Sequence, residues 1–273
     1  MFVQRREAAQ AGAAGVAGDT FTAVQHLHQG VGDARLELQS HQRVRHAVAV
    51  AFDLDVVVDV HRHGLERCPL PALCWQGRQR RRVQAAQHWL DAYNAERPPA
   101  ERLLPAALLL KAAARALQQA LQFNGFYENG GFRAGTGIHI GWAISLRGGG
   151  LVAPAIHDAD RLSLPSLMTA LRDLVQRTRA GGLRSSELTD PTITVTSLGE
   201  RGADTVWGVI YPPQVAIVGF GRIAEQPWVV DGQVGARPLV ALSLAADHRA
   251  SDGHLGGQLL AVIDQAMQNP DKL

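Results

Sequence analysis

The stretch Trp228–Ala245, WVVDGQVGARPLVALSLA, limits the architecture of this chain more than any other. Asp231-Gly232 is the dipeptide that favours a type I′ turn, so its flanks are expected to fold back as a hairpin. The second arm, Pro238–Ala245, is almost wholly apolar and reads as a buried strand. A turn-like segment, ADHRASDG, follows at once. Gly253–Met267 then carries Leu255, Leu259, Leu260, Ile263 and Met267 at helical spacing.

Upstream elements are equally regular from about residue 84. VQAAQHWLDAYNAE reads as an amphipathic helix, RPPAER breaks it, and LLPAALLLKAAARALQQAL is a second, strongly apolar helix. LSLPSLMTALRDLVQRTRAGG is a helix with a serine cap, an apolar face at Leu167, Leu171, Leu174 and Val175, and a terminal glycine. GIHIGWAISL, TITVTSLG and QVAIVGFG read as strands. Helices mixed with hairpins predict an α+β layer rather than a doubly wound parallel sheet. Before residue 84 only HAVAVAFDLDVVVDVHRH is a firm element, an alternating strand-like run, and CWQGRQRRRVQ shows no clear period.

Bulk properties exclude several functions. A formal charge of +2 over 273 residues gives no argument for nucleic acid. No apolar run is long enough to span a membrane. The opening MFVQRREAAQAGAAGVAGDTF lacks the apolar core of a secretion signal, and a transit peptide is the less favoured reading. Cys68 and Cys74 do not make a disulfide framework, so a reducing cytoplasm is expected.

His248 lies where a strand ends and a helix begins, a place where rigid scaffold meets exposed loop. It reads as a general base; the plain alternative is a polar strand end bonded to local backbone. Asp247, Arg249 and Asp252 crowd the same turn. TITVTSLG offers hydroxyls at Thr192, Thr194, Thr196 and Ser197, one of which could face an oxyanion, although threonine is also an ordinary strand former.

DHRASDG resembles the His-x-x-x-Asp-Gly signature of the dihydrolipoyl acyltransferases, the catalytic cores of 2-oxo acid dehydrogenase complexes. The surroundings strengthen it. GWAISLRGGGLVAPAIHDADRLSL, LTDPTITVTSLGERGADTVWGVIYPPQVAIVGFGRI and PWVVDGQVGARPLVALSLAADHRASDG are similar to the family's segments, in the family's order, as are LLLKAAARAL and LQFNG. The resemblance covers roughly residues 86–270. It implies a chloramphenicol acetyltransferase-like two-layer fold, with an amino-terminal segment 1–85 and a catalytic domain 86–273. Chloramphenicol acetyltransferase itself usually has a second histidine before the catalytic one; here that position is Asp247.

The implied activity moves an acyl group between a dihydrolipoyl thiol and coenzyme A. His248 would be the base, Thr196 the oxyanion donor where serine is usual, and Asp252 a structural orienter of the loop or imidazole. Ser197 and Gly253 are the implied substrate-contacting positions, Gly253 through close approach or a positive φ. Arg249 is expected to be an ion-pair partner within the loop. The implied partners are trimer-forming copies in a possibly larger core, a lipoyl domain in trans, and the decarboxylase and dihydrolipoamide dehydrogenase components. No lysine precedes Lys111, so residues 1–110 hold no lipoyl-lysine and the arm must come from another chain. The family's entry segment, an Arg-rich helix and a Pro-His-Phe-like strand, is not found in residues 1–85. A non-catalytic core subunit, or an O-acyltransferase like chloramphenicol acetyltransferase, is therefore the alternative. No metal is expected; the alternating Asp59, His61 and His63 read as an exposed strand end rather than a zinc site.

Overall fold

One fifteen-residue strand, Gln233–Asp247, pairs with three others of the main sheet. The computed structural model describes residues 74–146, 149–199 and 202–273, with the backbone of two short strands before them. In chain order the strands are β1 (Ala47–Ala49), β2 (Val57–Asp59), β3 (Cys74–Arg82), β4 (Gly125–Glu128), β5 (Gly131–Ala134), β6 (Ile140–Trp142) and β7 (Ile144–Ser145). They continue with β8 (Leu151–Val152), β9 (Ala155–Ile156), β10 (Ile193–Ser197), β11 (Ala216–Phe220), β12 (Ala224–Val230) and β13 (Gln233–Asp247). The helices are α1 (Gln84–Ala95), α2 (Pro105–Leu117), α3 (Leu164–Ala180), α4 (Ser185–Thr189) and α5 (Gly253–Gln268).

The main sheet has seven strands in the order β12-β13-β11-β10-β6-β9, with β3 also paired to β13. The β6–β10 and β10–β11 pairs are parallel; the others are antiparallel. This is the mixed α+β architecture expected. The β12–β13 hairpin turns at Asp231 and Gly232, with φ of 51° and 77°, the two positive values a type I′ turn needs.

Packing on the two faces of β13 differs by residue. Val240, Leu242, Leu244 and Ala246 join the hydrophobic core with α2 and α5. Ser243 points the other way and its hydroxyl donates to the Val206 carbonyl at 2.6 Å. Helix α2 is buried nearly all round, as an apolar helix inside a layer must be. Helix α5 passes so close to β3 that a Cβ at Gly256 would lie 1.7 Å from the Trp75 ring.

Two readings of the amino-terminal region change. The strand β3 is formed by CWQGRQRRR, the stretch without an obvious period. Its inward positions are Trp75, Gly77 and Gln79, so the alternation is real but two of three inward residues are not hydrophobic. It stands ahead of the boundary expected at residue 86, yet pairs with β13 along its whole length. The alternating run before it contains two strands, β1 and β2, paired antiparallel with Ala47 opposite Asp59, rather than one. The remainder of residues 1–73 lies outside the described residues.

Polar groups fasten the helical layer. Lys111 is buried in α2, and its ammonium donates to the carbonyls of Asp160, at 2.7 Å, and Leu162 in the loop before α3. Burial lowers its pKa, Arg115 adds to that effect, and Asp160 opposes it. Ser163 caps α3 by accepting from the Ser166 amide, and Gly181 ends it with φ 75°.

Helix α4 is pinned to α3 by Glu187, whose two oxygens each receive a guanidinium bond of 2.6 Å from Arg177. Those bonds hold the Glu187 carboxyl at a pKa of about 2. A depressed carboxylate contributes stability above its unfolded pKa, near 4.5, and loses it as pH falls toward 2. Glu187→Gln is therefore expected to cost about 1–3 kcal/mol at neutral pH. Urea titrations should show the gap between variant and parent closing between pH 4.5 and the lowest pH that keeps the fold. A gap independent of pH would contradict the ion-pair account.

Candidate active site

The turn after β13 is closed by its own side chains. The Asp247 amide donates to the Val215 carbonyl at 2.8 Å, which fixes the strand end. Oδ1 of Asp247 accepts the Arg249 amide at 3.0 Å, the Asx-turn pattern that spans the intervening residue. The Arg249 guanidinium then grips both carboxylate oxygens, Nε to Oδ1 at 2.9 Å and Nη2 to Oδ2 at 2.6 Å. The Ala250 and Ser251 amides both donate to the Asp247 carbonyl, at 3.0 and 3.1 Å. Ser251 is buried, so the small pair Ala250-Ser251 fits a tight turn.

His248 is exposed on this turn, as are the neighbouring Arg249 and Asp252. None of the described residues pairs with or hydrogen-bonds its imidazole. Asp252 does not hold the ring. It is the extended N-cap of α5, and its carboxylate accepts the Leu255 amide at 2.9 Å. Such caps contribute about 1 kcal/mol and fix how the loop enters the helix. Gly253 is the first residue of α5 and is not among the positive-φ glycines, so the positive φ expected there is not used. Cys74 faces Asp247 across the sheet. Burial, and then the Asp247 carboxylate, push its thiol up to about 11, so it stays protonated at neutral pH.

The four hydroxyls of the threonine-rich strand separate cleanly. Thr192 donates to Asn124 Oδ1 at 2.5 Å and accepts the His139 amide at 3.1 Å. Thr194 donates to Gln214 Oε1 at 2.7 Å, and Gln214 returns to the Pro191 carbonyl. Ser197 accepts the Gly199 amide at 3.3 Å and so braces the turn that follows. Thr196 is half-buried and bonds none of the described residues. Its hydroxyl alone of the four makes no bond to a described residue, while Ser197 accepts one and donates to none of them.

Register separates these two groups. Thr196 pairs with Gly219 near the C-terminal end of β11, whereas Ala216 at its other end pairs with Ala246, just before the His248 turn. At about 3.3 Å per residue and 4.8 Å per strand, His248 and Thr196 lie roughly 16 Å apart along the strands and 10 Å across them. Within one chain the two side chains do not meet.

The pattern reading missed the hairpin β4–β5, which borders the His248 turn, and the ties made by Asn124 and Gln214. LQFNG and the Pro-Pro-Gln segment carried these residues, but no spacing rule shows which partner a buried amide finds. Among the described residues no group of three His, Cys, Asp or Glu side chains is arranged to hold a metal. His61, His63 and the side chain of Asp59 lie outside them. Among the described residues no helix is long and apolar enough to cross a membrane.

The family of 2-oxoacid dehydrogenases acyltransferase (catalytic domain) matches residues 77–273. Dihydrolipoyllysine-residue acetyltransferase component of the pyruvate dehydrogenase complex from Staphylococcus epidermidis is 39% identical over 124 residues, 45% of this chain and 29% of the relative. The chain thus spans under a third of the length of that curated relative. The solved dihydrolipoamide acetyltransferase of Azotobacter vinelandii aligns with a TM-score of 0.67 at 25% identity, over 73% of this chain and 83% of that one. A serine, a histidine and an asparagine have been investigated for roles in the catalytic mechanism of that enzyme. Their two spacings equal those from Thr196 to His248 and from His248 to Asp252. The cubic core of the pyruvate dehydrogenase multienzyme complex matches with the same TM-score, identity and coverage. Chloramphenicol acetyltransferase, at 10% identity and a TM-score of 0.50 over 71% of this chain and 88% of that one, shares the fold alone.

Proposed function

The chain belongs to the 2-oxoacid dehydrogenase acyltransferase family through its catalytic domain, and from that membership we propose that it transfers an acyl group between a dihydrolipoyl thiol and coenzyme A. One observation carries the reading: the turn that pins Asp247 and Arg249 leaves the His248 imidazole exposed and unpartnered among the described residues. We draw the catalytic unit from β3 onward, because Trp75 packs beneath α5 and β3 pairs with the strand that ends at His248.

Both substrates are thiols or thioesters, and a free thiol is mostly protonated at neutral pH. In the step proposed, an imidazole nitrogen of His248 takes the proton as the coenzyme A sulfur adds to the acyl carbonyl. The carbon–sulfur bond formed gives a tetrahedral oxyanion, and the Thr196 hydroxyl donates to it. Collapse breaks the bond to the dihydrolipoyl sulfur, which takes the proton back from His248. Threonine keeps the donor that serine supplies, and its methyl narrows the site. Asp252 keeps an acceptor where the Azotobacter enzyme has asparagine, and here that acceptor caps α5.

The separation of His248 from Thr196 supports a site completed by a second copy, with trimers as the unit and a larger core built from them. The acyl-lipoyl arm then arrives in trans, and the decarboxylase and dihydrolipoamide dehydrogenase components are the enzymes that load it and reoxidise it. We place the reaction in the cytoplasm, where dithiols stay reduced. The test is acyl transfer from acetyl-, succinyl- and isobutyryl-dihydrolipoamide to coenzyme A by the assembled protein. Turnover with at least one donor is expected. Inactivity with all three would identify a structural core subunit instead.

A further inference from the structure

We propose that Tyr127 is a positioning residue for His248 and acts through Arg249; the inference rests on the reading of His248 as the base and adds what holds it in place. Tyr127 lies on β4, in the hairpin that no sequence pattern announced. That hairpin is fastened to the same segment that receives the end of β13. The Tyr127 amide donates to the Pro213 carbonyl at 2.8 Å, and the Val215 amide donates to the Gly125 carbonyl at 3.2 Å. Val215 in turn accepts the Asp247 amide.

From this anchored position the Tyr127 ring meets the face of the Arg249 guanidinium, with Cζ 3.8 Å from the ring centroid. The edge of the same guanidinium is spent on the Asp247 carboxylate. A guanidinium is planar, with hydrogen-bond donors at its edge and a weakly hydrated face that stacks on aromatics. The ring restricts pivoting of the group about the edge it shares with the carboxylate. The Asp247 side chain is 5% exposed and that of Arg249 25%, so both contacts act in a partly desolvated setting where they are stronger than at an open surface. His248 is the single residue between these two clamped neighbours. Its backbone therefore inherits the rigidity of the stack, which fixes the direction of its Cα–Cβ bond.

The experiment compares Tyr127→Leu with Tyr127→Phe in the assembled protein, by hydrogen exchange and by steady-state kinetics. Leu removes the ring and is expected to speed exchange of the Arg249, Ala250 and Ser251 amides about tenfold. It should also lower kcat by about tenfold while KM for coenzyme A stays put, since a misaimed base loses rate rather than binding. Phe keeps the ring and should restore both. In an Arg249→Ala background, Tyr127→Leu should have no further effect on either measurement. Arg249→Lys, which loses the planar face, should reproduce the faster exchange with Tyr127 intact, and this serves if the Leu variant does not assemble. Unchanged exchange in the Leu or Lys variant would overturn the proposal whether or not the protein turns over. Faster exchange in a protein whose parent form is inactive would uphold the loop's positioning and overturn the acyltransferase reading alone.

Discussion

His248→Ala lowers acyl transfer from dihydrolipoamide to coenzyme A by about 10²–10⁴-fold, the range for removing a positioned base. The fold should survive the change. The exposed imidazole bonds none of the described residues, and every hydrogen bond of the turn runs through Asp247, Arg249, Ala250 and Ser251. The loss should fall on kcat, with thermal stability and assembly size at the parent's values. A variant within tenfold of the parent would remove His248 from the chemistry and with it the mechanism proposed.

The second large effect is one of restoration. Thr196→Val removes a hydroxyl that bonds none of the described residues and is expected to cost about 10²–10³-fold. Alone, neither this variant nor His248→Ala turns over appreciably. Co-expressed in equal amounts, they should recover about a quarter of the parental rate in a closed ring of copies. In such a ring one interface in four, at random, takes its histidine from the threonine variant and its threonine from the histidine variant. Strand register requires this outcome if both residues act on one substrate, because a single chain holds them at opposite ends of β11. Mixed assemblies shown by mass to contain both chains, yet inactive, would place the whole site within one chain and displace Thr196 from it.

Much of the architecture was legible in the residues. The Asp231-Gly232 turn, the serine cap and glycine stop of α3, and the helical spacing of α5 each follow from local chemistry, and the structure has all three. The strand β3 was not legible, because Gly77 and Gln79 occupy inward positions where a pattern search looks for hydrophobic residues. Gly77 is tolerated there because the Trp75 ring lies against it, a contact set by α5 crossing the sheet. In the candidate site, the residue types were readable but some of their tasks were not. Asp252 could be expected to steer a loop or a ring, and only the structure shows its carboxylate on the Leu255 amide.

By itself the sequence determined the element types, the antiparallel closing hairpin, the mixed α+β class and the histidine at the strand–helix junction. These depend on side chains within a few residues of one another, where period, capping and turn preference act. Tertiary structure decided which hydroxyls of the strand are engaged, what clamps the turn, and that His248 and Thr196 stand toward opposite ends of β11. Those outcomes depend on strand order and register, set by how buried faces from distant segments pack together, and no local pattern encodes them.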